Sequence, residues 1–325
     1  MKLTGGDNVV EVRWTTRQLE GAEGNRIEAD IYQPADAIGA DAAGIEGAEM
    51  PEEQRAGREG GAPVLLVHGG GQTRYSWAGT AERLARDGMT AIVIDQRGHG
   101  ESAWVEGGHY RFRDYAADIV AVAEAIRREF GAAPVAIGAS LGGIASTLAH
   151  GMRAEGVLHA LVLVDVVPRM DPDGVDRITG FMAERMHEGF ASVEEAADAV
   201  AAYLPNRKRP RSTEGLRKNL RLHDDGRYRW HWDPRFLTGE FSVGSTAAED
   251  IARMEEVVRG LTIPVMLVRG GSSELVPEES ARHFMELIPH ARYCDVTGAG
   301  HMVAGDRNDI FADAAVDFIR SIGGR

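Results

Sequence analysis

Pro134-Val135-Ala136-Ile137-Gly138-Ala139-Ser140-Leu141-Gly142-Gly143 runs from a strand-length apolar stretch straight into glycines, and then into the helix-length segment Leu141 to Met152. A nucleophile on so sharp a strand-to-helix turn has a strained backbone, and small residues two places before and after it avoid clashes there. Gly138 and Gly142 stand at those two places. The same turn sets the backbone N–H of Leu141 at a helix start, where partial positive charge can stabilise a developing oxyanion. A glycine-rich turn with an incidental serine would share these letters. The setting between a buried strand and an apolar helix is what gives them chemical meaning.

The same alternation continues on both sides of this stretch. Short apolar runs lie at Val64 to Val67, Thr90 to Ile94, Pro134 to Ile137, Leu161 to Val164, Val265 to Val268 and Tyr293 to Val296. Continuous rather than alternating hydrophobicity signals strands buried on both faces, as in a parallel sheet with crossover helices. Helix-period segments separate them at Arg74 to Arg86, Phe112 to Glu129, Leu141 to Met152, Pro277 to Leu287 and Asp309 to Ile319. The fold class expected is therefore α/β, with a mostly parallel sheet. Ahead of it, Asn8 to Leu19 and Arg26 to Tyr32 read as an antiparallel hairpin turning at Gly21 to Asn25.

Two intervals break the rhythm. From Gln33 to Gly61 the chain is rich in Ala, Gly, Glu and Asp, with too little apolar surface to offset chain entropy, and reads as an exposed insertion. About 95 residues separate the fourth apolar run from the fifth, far more than one crossover needs. That interval, 169–261, carries helix-like stretches at Val175 to His187, Val193 to Leu204, Thr213 to Leu222 and Ala247 to Val258, and reads as a mostly helical cap. The expected organisation is a core of 1–168 and 262–325 with the cap inserted between them. No repeat of solenoid length is visible.

Composition narrows the function. Lys and Arg total 36 against 50 for Asp and Glu, a net charge of -14 over 325 residues, which repels nucleic-acid phosphates and anionic lipid surfaces. Cys294 is the one cysteine, so no intrachain disulfide or thiolate-held metal is possible. No His-x-x-x-His or clustered carboxylate spacing suggests another metal, and the expected chemistry needs no cofactor. No apolar run approaches the ~20 residues that span a bilayer. Polar residues and glycines follow Lys2 where a secretory signal would need an apolar stretch, so a cytoplasmic protein is expected. The expected partner is a small-molecule substrate, with neither nucleic acid nor membrane involved.

A serine hydroxyl is a poor nucleophile at neutral pH unless an imidazole takes its proton. Of the 11 histidines, His301 has the right setting. It stands in Val296-Thr297-Gly298-Ala299-Gly300-His301-Met302, just past the last apolar strand, where glycines let the loop bend toward the sheet edge.

These motifs together resemble the α/β-hydrolase superfamily. The resemblance rests on His68-Gly69-Gly70-Gly71 after the first parallel strand, Asp95-Gln96-Arg97-Gly98-His99-Gly100-Glu101-Ser102 after the second, the turn at Ser140, and Gly300-His301. It covers most of the chain outside the Gln33 to Gly61 tract. It implies that the N–H of Gly70 joins that of Leu141 in an oxyanion hole, and that Asp95 to Ser102 is mostly a structural turn, with no catalytic role for His99 or Glu101.

The third member of the triad must accept a hydrogen bond from the imidazole and can come from either of two strand ends. Glu274 follows the penultimate strand, 27 positions before His301, a typical family interval. Many relatives carry the acid one place earlier, where this chain has Ser273. Asp165, 25 positions beyond Ser140, is the alternative that other members use. Glu274 is the preferred expectation.

Relatives that open epoxides or displace halide carry an aspartate at the turn, so Ser140 directs the resemblance toward acyl transfer. The expected substrate is a small, fairly apolar carboxylic ester, thioester or lactone, cleaved through an acyl-enzyme. Some relatives with this triad act as perhydrolases or haloperoxidases, others cleave carbon–carbon bonds, and others bind ligands without turnover. In the cap, Phe181, Met182, Met186, Phe190, Tyr228, Trp230, His231, Trp232 and Phe236 could line a pocket or form the cap's own core. Alternation across Arg227 to Trp232 puts Tyr228, Trp230 and Trp232 on one face. The basic run Asn206 to Arg211, framed by Pro205 and Pro210, could bind phosphate or an anionic substrate, but reads rather as a solvated turn between cap helices.

Overall fold

The computed structural model describes residues 10–35, 61–204, 212–300 and 308–323. Strands β1 (Val12–Glu20) and β2 (Arg26–Pro34) form the expected hairpin, with Glu20 opposite Arg26. Strand β2 continues two residues into the tract read as an insertion, and residues 36–60 lie outside the described ones.

The parallel strands are β3 (Val64–Val67), β4 (Ala91–Ile94), β5 (Val135–Ala139) and β6 (Ala160–Val164), followed after the long interval by β9 (Val265–Gly270) and β10 (Arg292–Val296). The eight-stranded sheet has the order β1-β2-β4-β3-β5-β6-β9-β10. Pairing is antiparallel at β1/β2 and β2/β4 and parallel elsewhere.

Both faces are covered along the inner parallel strands β3, β4, β5, β6 and β9, which explains why these read as unbroken apolar runs, whereas the edge strands β1 and β10 are largely exposed. Leu65, Val67, Ile92, Ile94, Leu161 and Leu163 point into one core. Their strand neighbours Val64, Leu66, Ala91, Val93, Ala160 and Val162 point into the other. The first core is closed by α2 (Phe112–Phe130), α3 (Leu141–Gly151), α8 (Ala247–Arg259) and α9 (Glu278–Leu287), and the second by α1 (Ala78–Arg86) and α10 (Asn308–Gly323). Helix α2 shows how the sequence sets such an element. The Asp114 carboxylate accepts from the Arg111 N–H at 2.9 Å at its start, and Gly131 at φ 76° ends it.

The long interval holds α4 (Pro172–Ala183), α5 (Val193–Tyr203), α6 (Glu214–Arg217) and α7 (Arg235–Thr238), together with the antiparallel pair β7 (Leu220–Leu222) and β8 (Tyr228–Trp230). The helix expected over Thr213 to Leu222 is therefore a single turn that gives way to a strand. Leu220 has a cross-strand apolar partner in Trp230, and such pairing outweighs the weak propensity of a four-residue helix. Helix α8 packs on α3 of the main core: a Cβ on Gly151 would lie 2.3 Å from Val257. No described helix is long and apolar enough to cross a membrane.

Candidate active site

Ser140 sits between the end of β5 and the start of α3 with φ 46° and ψ -116°. Such a conformation costs a non-glycine residue about 1–3 kcal/mol, so the elements flanking it must hold it. The two glycines show how tightly they do. A Cβ on Gly138 would lie 2.6 Å from the Gly142 carbonyl, and one on Gly142 would lie 2.4 Å from the Val67 carbonyl oxygen. Helix α3 thus crosses β3 and β5 at a distance that only glycine permits. As the first helical residue, Leu141 has a backbone N–H without an intrahelical acceptor.

The loop His68–Gly71 runs beside the serine: a Cβ on Gly69 would be 3.5 Å from Ser140 Cβ. Two buried histidines fix its shape. His68 Nδ1 faces the Gly69 carbonyl at 2.7 Å while its Nε2 accepts from the Gln96 N–H at 3.0 Å. His99 Nδ1 faces the Arg97 carbonyl at 3.0 Å while its Nε2 accepts from the Gly71 N–H at 3.1 Å. Each ring therefore carries its hydrogen on Nδ1 and is neutral. Burial pushes the His68 imidazole down to about 4, and burial followed by the neighbouring His68 pushes His99 down to about 3. The Gly69 N–H is taken by Gln72 Oε1 at 3.1 Å. Of the three glycine amides, Gly70 is the one that no described residue engages, and Gly70 lines the cavity in front of Ser140.

The turn from Asp95 to Ser102 is built around a carboxylate. Asp95 accepts from the Arg74 N–H at 2.6 Å and the Glu101 N–H at 2.9 Å, and pairs with the buried Arg74 guanidinium, which also holds Asp30 at 2.9 Å. His99 contributes from this turn by gripping Gly71. That role in shaping the loop was invisible in the sequence, because the two residues are 28 positions apart.

The two candidate acids differ in surroundings. Asp165 directly follows β6, whose last residue Val164 pairs with Ala139, which puts Asp165 on the strand end next to Ser140. It is fully buried and has φ 52°. Its Oδ1 accepts from the Gly270 N–H at 3.0 Å and its Oδ2 from the Ser273 hydroxyl at 2.6 Å. Glu274, in the loop after β9, lines the cavity and turns toward the inserted segment. It pairs with Arg177 of α4 and accepts from the Tyr203 hydroxyl of α5 at 3.4 Å. Burial and then the Glu274 charge push the Tyr203 phenol up to about 12, so it remains a donor.

His301 lies outside the described residues, as does the basic run from Asn206 to Arg211. The loop that leads to His301 is described up to Gly300. Ser272 N–H donates to the Ala299 carbonyl at 2.9 Å, and both Gly298 and Gly300 line the same cavity as Ser140.

That cavity measures about 1150 Å³ and opens between the sheet edge and the inserted segment. Of the aromatic and apolar residues singled out in the sequence, Phe181, Met182, Trp230, Trp232 and Phe236 line it. Phe190 instead anchors a small separate core with Val193, Ala196 and Leu220, which Tyr228 packs against. Arg177, Tyr203 and Asn219 also line the cavity and carried no motif that would have marked them.

The chain belongs to the α/β-hydrolase family. Residues 62–307 match the model of that family, described as the alpha/beta hydrolase fold, in agreement with the mixed sheet and the strained serine turn. Among relatives, the chain is 30% identical over 301 residues to esterase Rv0045c of Mycobacterium tuberculosis, covering 87% of this chain and 92% of that one. It is 29% identical over 262 residues to 2-(acetamidomethylene)succinate hydrolase of Mesorhizobium japonicum, covering 80% and 89% respectively. Among solved structures, that of the M. tuberculosis esterase Rv0045c superposes with a TM-score of 0.65 at 26% identity, covering 98% of this chain and 93% of that one.

Proposed function

We propose that this protein is a serine hydrolase that cleaves a small, fairly apolar ester, thioester or lactone through an acyl-enzyme. The observation that carries the proposal is Ser140 on a strained turn, beside the Gly70 and Leu141 amides, which no described residue engages, at the wall of a largely apolar cavity of about 1150 Å³. An esterase relative at 30% identity supports it.

In this reading His301 takes the Ser140 proton as Oγ attacks the acyl carbon. The oxyanion that forms is held by the N–H groups of Gly70 and Leu141. His301 then returns the proton to the leaving oxygen or sulfur as that bond breaks. Water, deprotonated by the same imidazole, attacks the acyl-enzyme, and Ser140 recovers its proton as the carboxylic acid departs.

The geometry supports Asp165 over Glu274 as the triad acid. Asp165 is next to the Ser140 strand end, wholly buried and oriented by hydrogen bonds from the Gly270 N–H and the Ser273 hydroxyl, and a carboxylate oxygen can accept more than one donor. Glu274 is already engaged by Arg177 and Tyr203 of the inserted segment, which we read as a substrate-selecting cap.

Burst kinetics on p-nitrophenyl butyrate test the reaction class. The expected result is a burst followed by turnover in the wild type and neither in Ser140→Ala. An undiminished rate in the variant would reject serine catalysis.

A further inference from the structure

Trp232 is 97% enclosed, since only 3% of its surface is exposed, yet among the described residues its indole N–H meets no acceptor. It lines the cavity in front of Ser140, and its Nε1 lies 3.7 Å from where a Cβ on Gly71 would stand. This N–H is not sealed from solvent as the neighbouring Trp230 indole N–H is, so it opens onto the cavity, where an acceptor that arrives from outside can reach it. A second donor is held nearby. The Asn219 backbone carbonyl accepts from the His231 N–H at 2.8 Å, directly before Trp232, and its side-chain Oδ1 accepts from Thr73 Oγ1 at 2.9 Å. That leaves the Asn219 amide N–H₂ without an acceptor among the described residues, and Asn219 lines the same cavity.

Resting on the reading of Ser140 as the nucleophile, we propose that Trp232 and Asn219 form a specificity subsite for a second, uncharged carbonyl group on the acyl part of the substrate. One carbonyl oxygen has two lone pairs and suits two neutral donors. A carboxylate fits less well. The charged side chains lining the cavity among the described residues are Arg177 and Glu274, and they pair with each other, so a buried carboxylate would lack a cation to offset its desolvation. The spacing sets the reach. Gly69 borders Ser140 and Gly71 borders Trp232, and two residues of chain span at most about 7 Å. Both carbonyls can therefore belong to one small acyl group.

The test compares kcat/KM, corrected for spontaneous hydrolysis, for p-nitrophenyl levulinate, p-nitrophenyl pentanoate and the p-nitrophenyl monoester of glutarate. The wild type is expected to favour levulinate over pentanoate by roughly fivefold to tenfold, and the glutarate monoester is expected to be the poorest of the three. In Trp232→Phe and in Asn219→Leu the levulinate preference falls toward one. Merely structural damage would lower both rates and leave their ratio in place.

Calorimetric binding of methyl levulinate against methyl pentanoate to Ser140→Ala reads the same preference without turnover, so a failure of the catalytic reading is seen separately. Equal affinity for the two methyl esters, a ratio that neither substitution moves, or a preference for the glutarate monoester would overturn the subsite.

Discussion

Ser140, Asp165 and Arg185 are the three described non-glycine residues with positive φ, and the first two stand side by side at the ends of paired strands β5 and β6. Strain of this kind persists only where the surroundings over-determine it, and at Asp165 they do: its own N–H donates to the Val268 carbonyl at 2.7 Å while its carboxylate holds Gly270 and Ser273. If Asp165 orients the imidazole, Asp165→Asn keeps the shape but loses the charge, and kcat should fall about a hundredfold or more. Glu274→Gln should cost far less and act mainly on KM, through the wall it shares with Arg177. Steady-state kinetics of the two variants on one ester decide this, and the reverse pattern would return the acid to Glu274. The sequence stopped short here because a loop glutamate at a family-typical interval and an aspartate at a strand end look equally apt until their neighbours are known. Ser273, standing where many relatives carry the acid, donates to Asp165 instead.

At the scale of elements, the strands and most helices could be read directly, because a strand buried on both faces writes itself as an unbroken apolar run. Val64–Val67 matches residue for residue, and the helix expected from Leu141 begins there. What periodicity could not show was the joining of separate loops by side chains, above all His68 and His99 beneath the glycines beside Ser140. These imidazoles make a prediction about pH. Their native affinities for a proton lie below the unfolded value near 6.5, so the unfolded chain binds more protons in acid. The stability they contribute is complete above about pH 6.5 and is lost as pH falls toward 4, at up to about 1.4 kcal/mol per pH unit for each ring. Urea denaturation at pH 7 and pH 5 should show the loss, with a shallower dependence in His99→Gln. Equal pH dependence in the two proteins would mean that His99 does not titrate on unfolding.

For the whole molecule, a sheet whose inner strands are buried on both faces presents its carboxyl edge to a segment inserted between β6 and β9, and the cavity forms where the two meet. The interruption was legible as an interval too long for one crossover. Its internal structure was less so, since Thr213 to Leu222 turned out to be one helical turn and a strand. Which aromatics face the cavity was also hidden, because a side chain that lines a pocket and one that fills a small core obey the same periodicity.

Covalent labelling tests serine catalysis most directly. After treatment with an alkyl fluorophosphonate, peptide mass mapping should find the adduct on Ser140, with ester hydrolysis lost in proportion to labelling. Hydrolysis that survives complete modification of Ser140, or an adduct on a different serine that accounts for the lost activity, would contradict it.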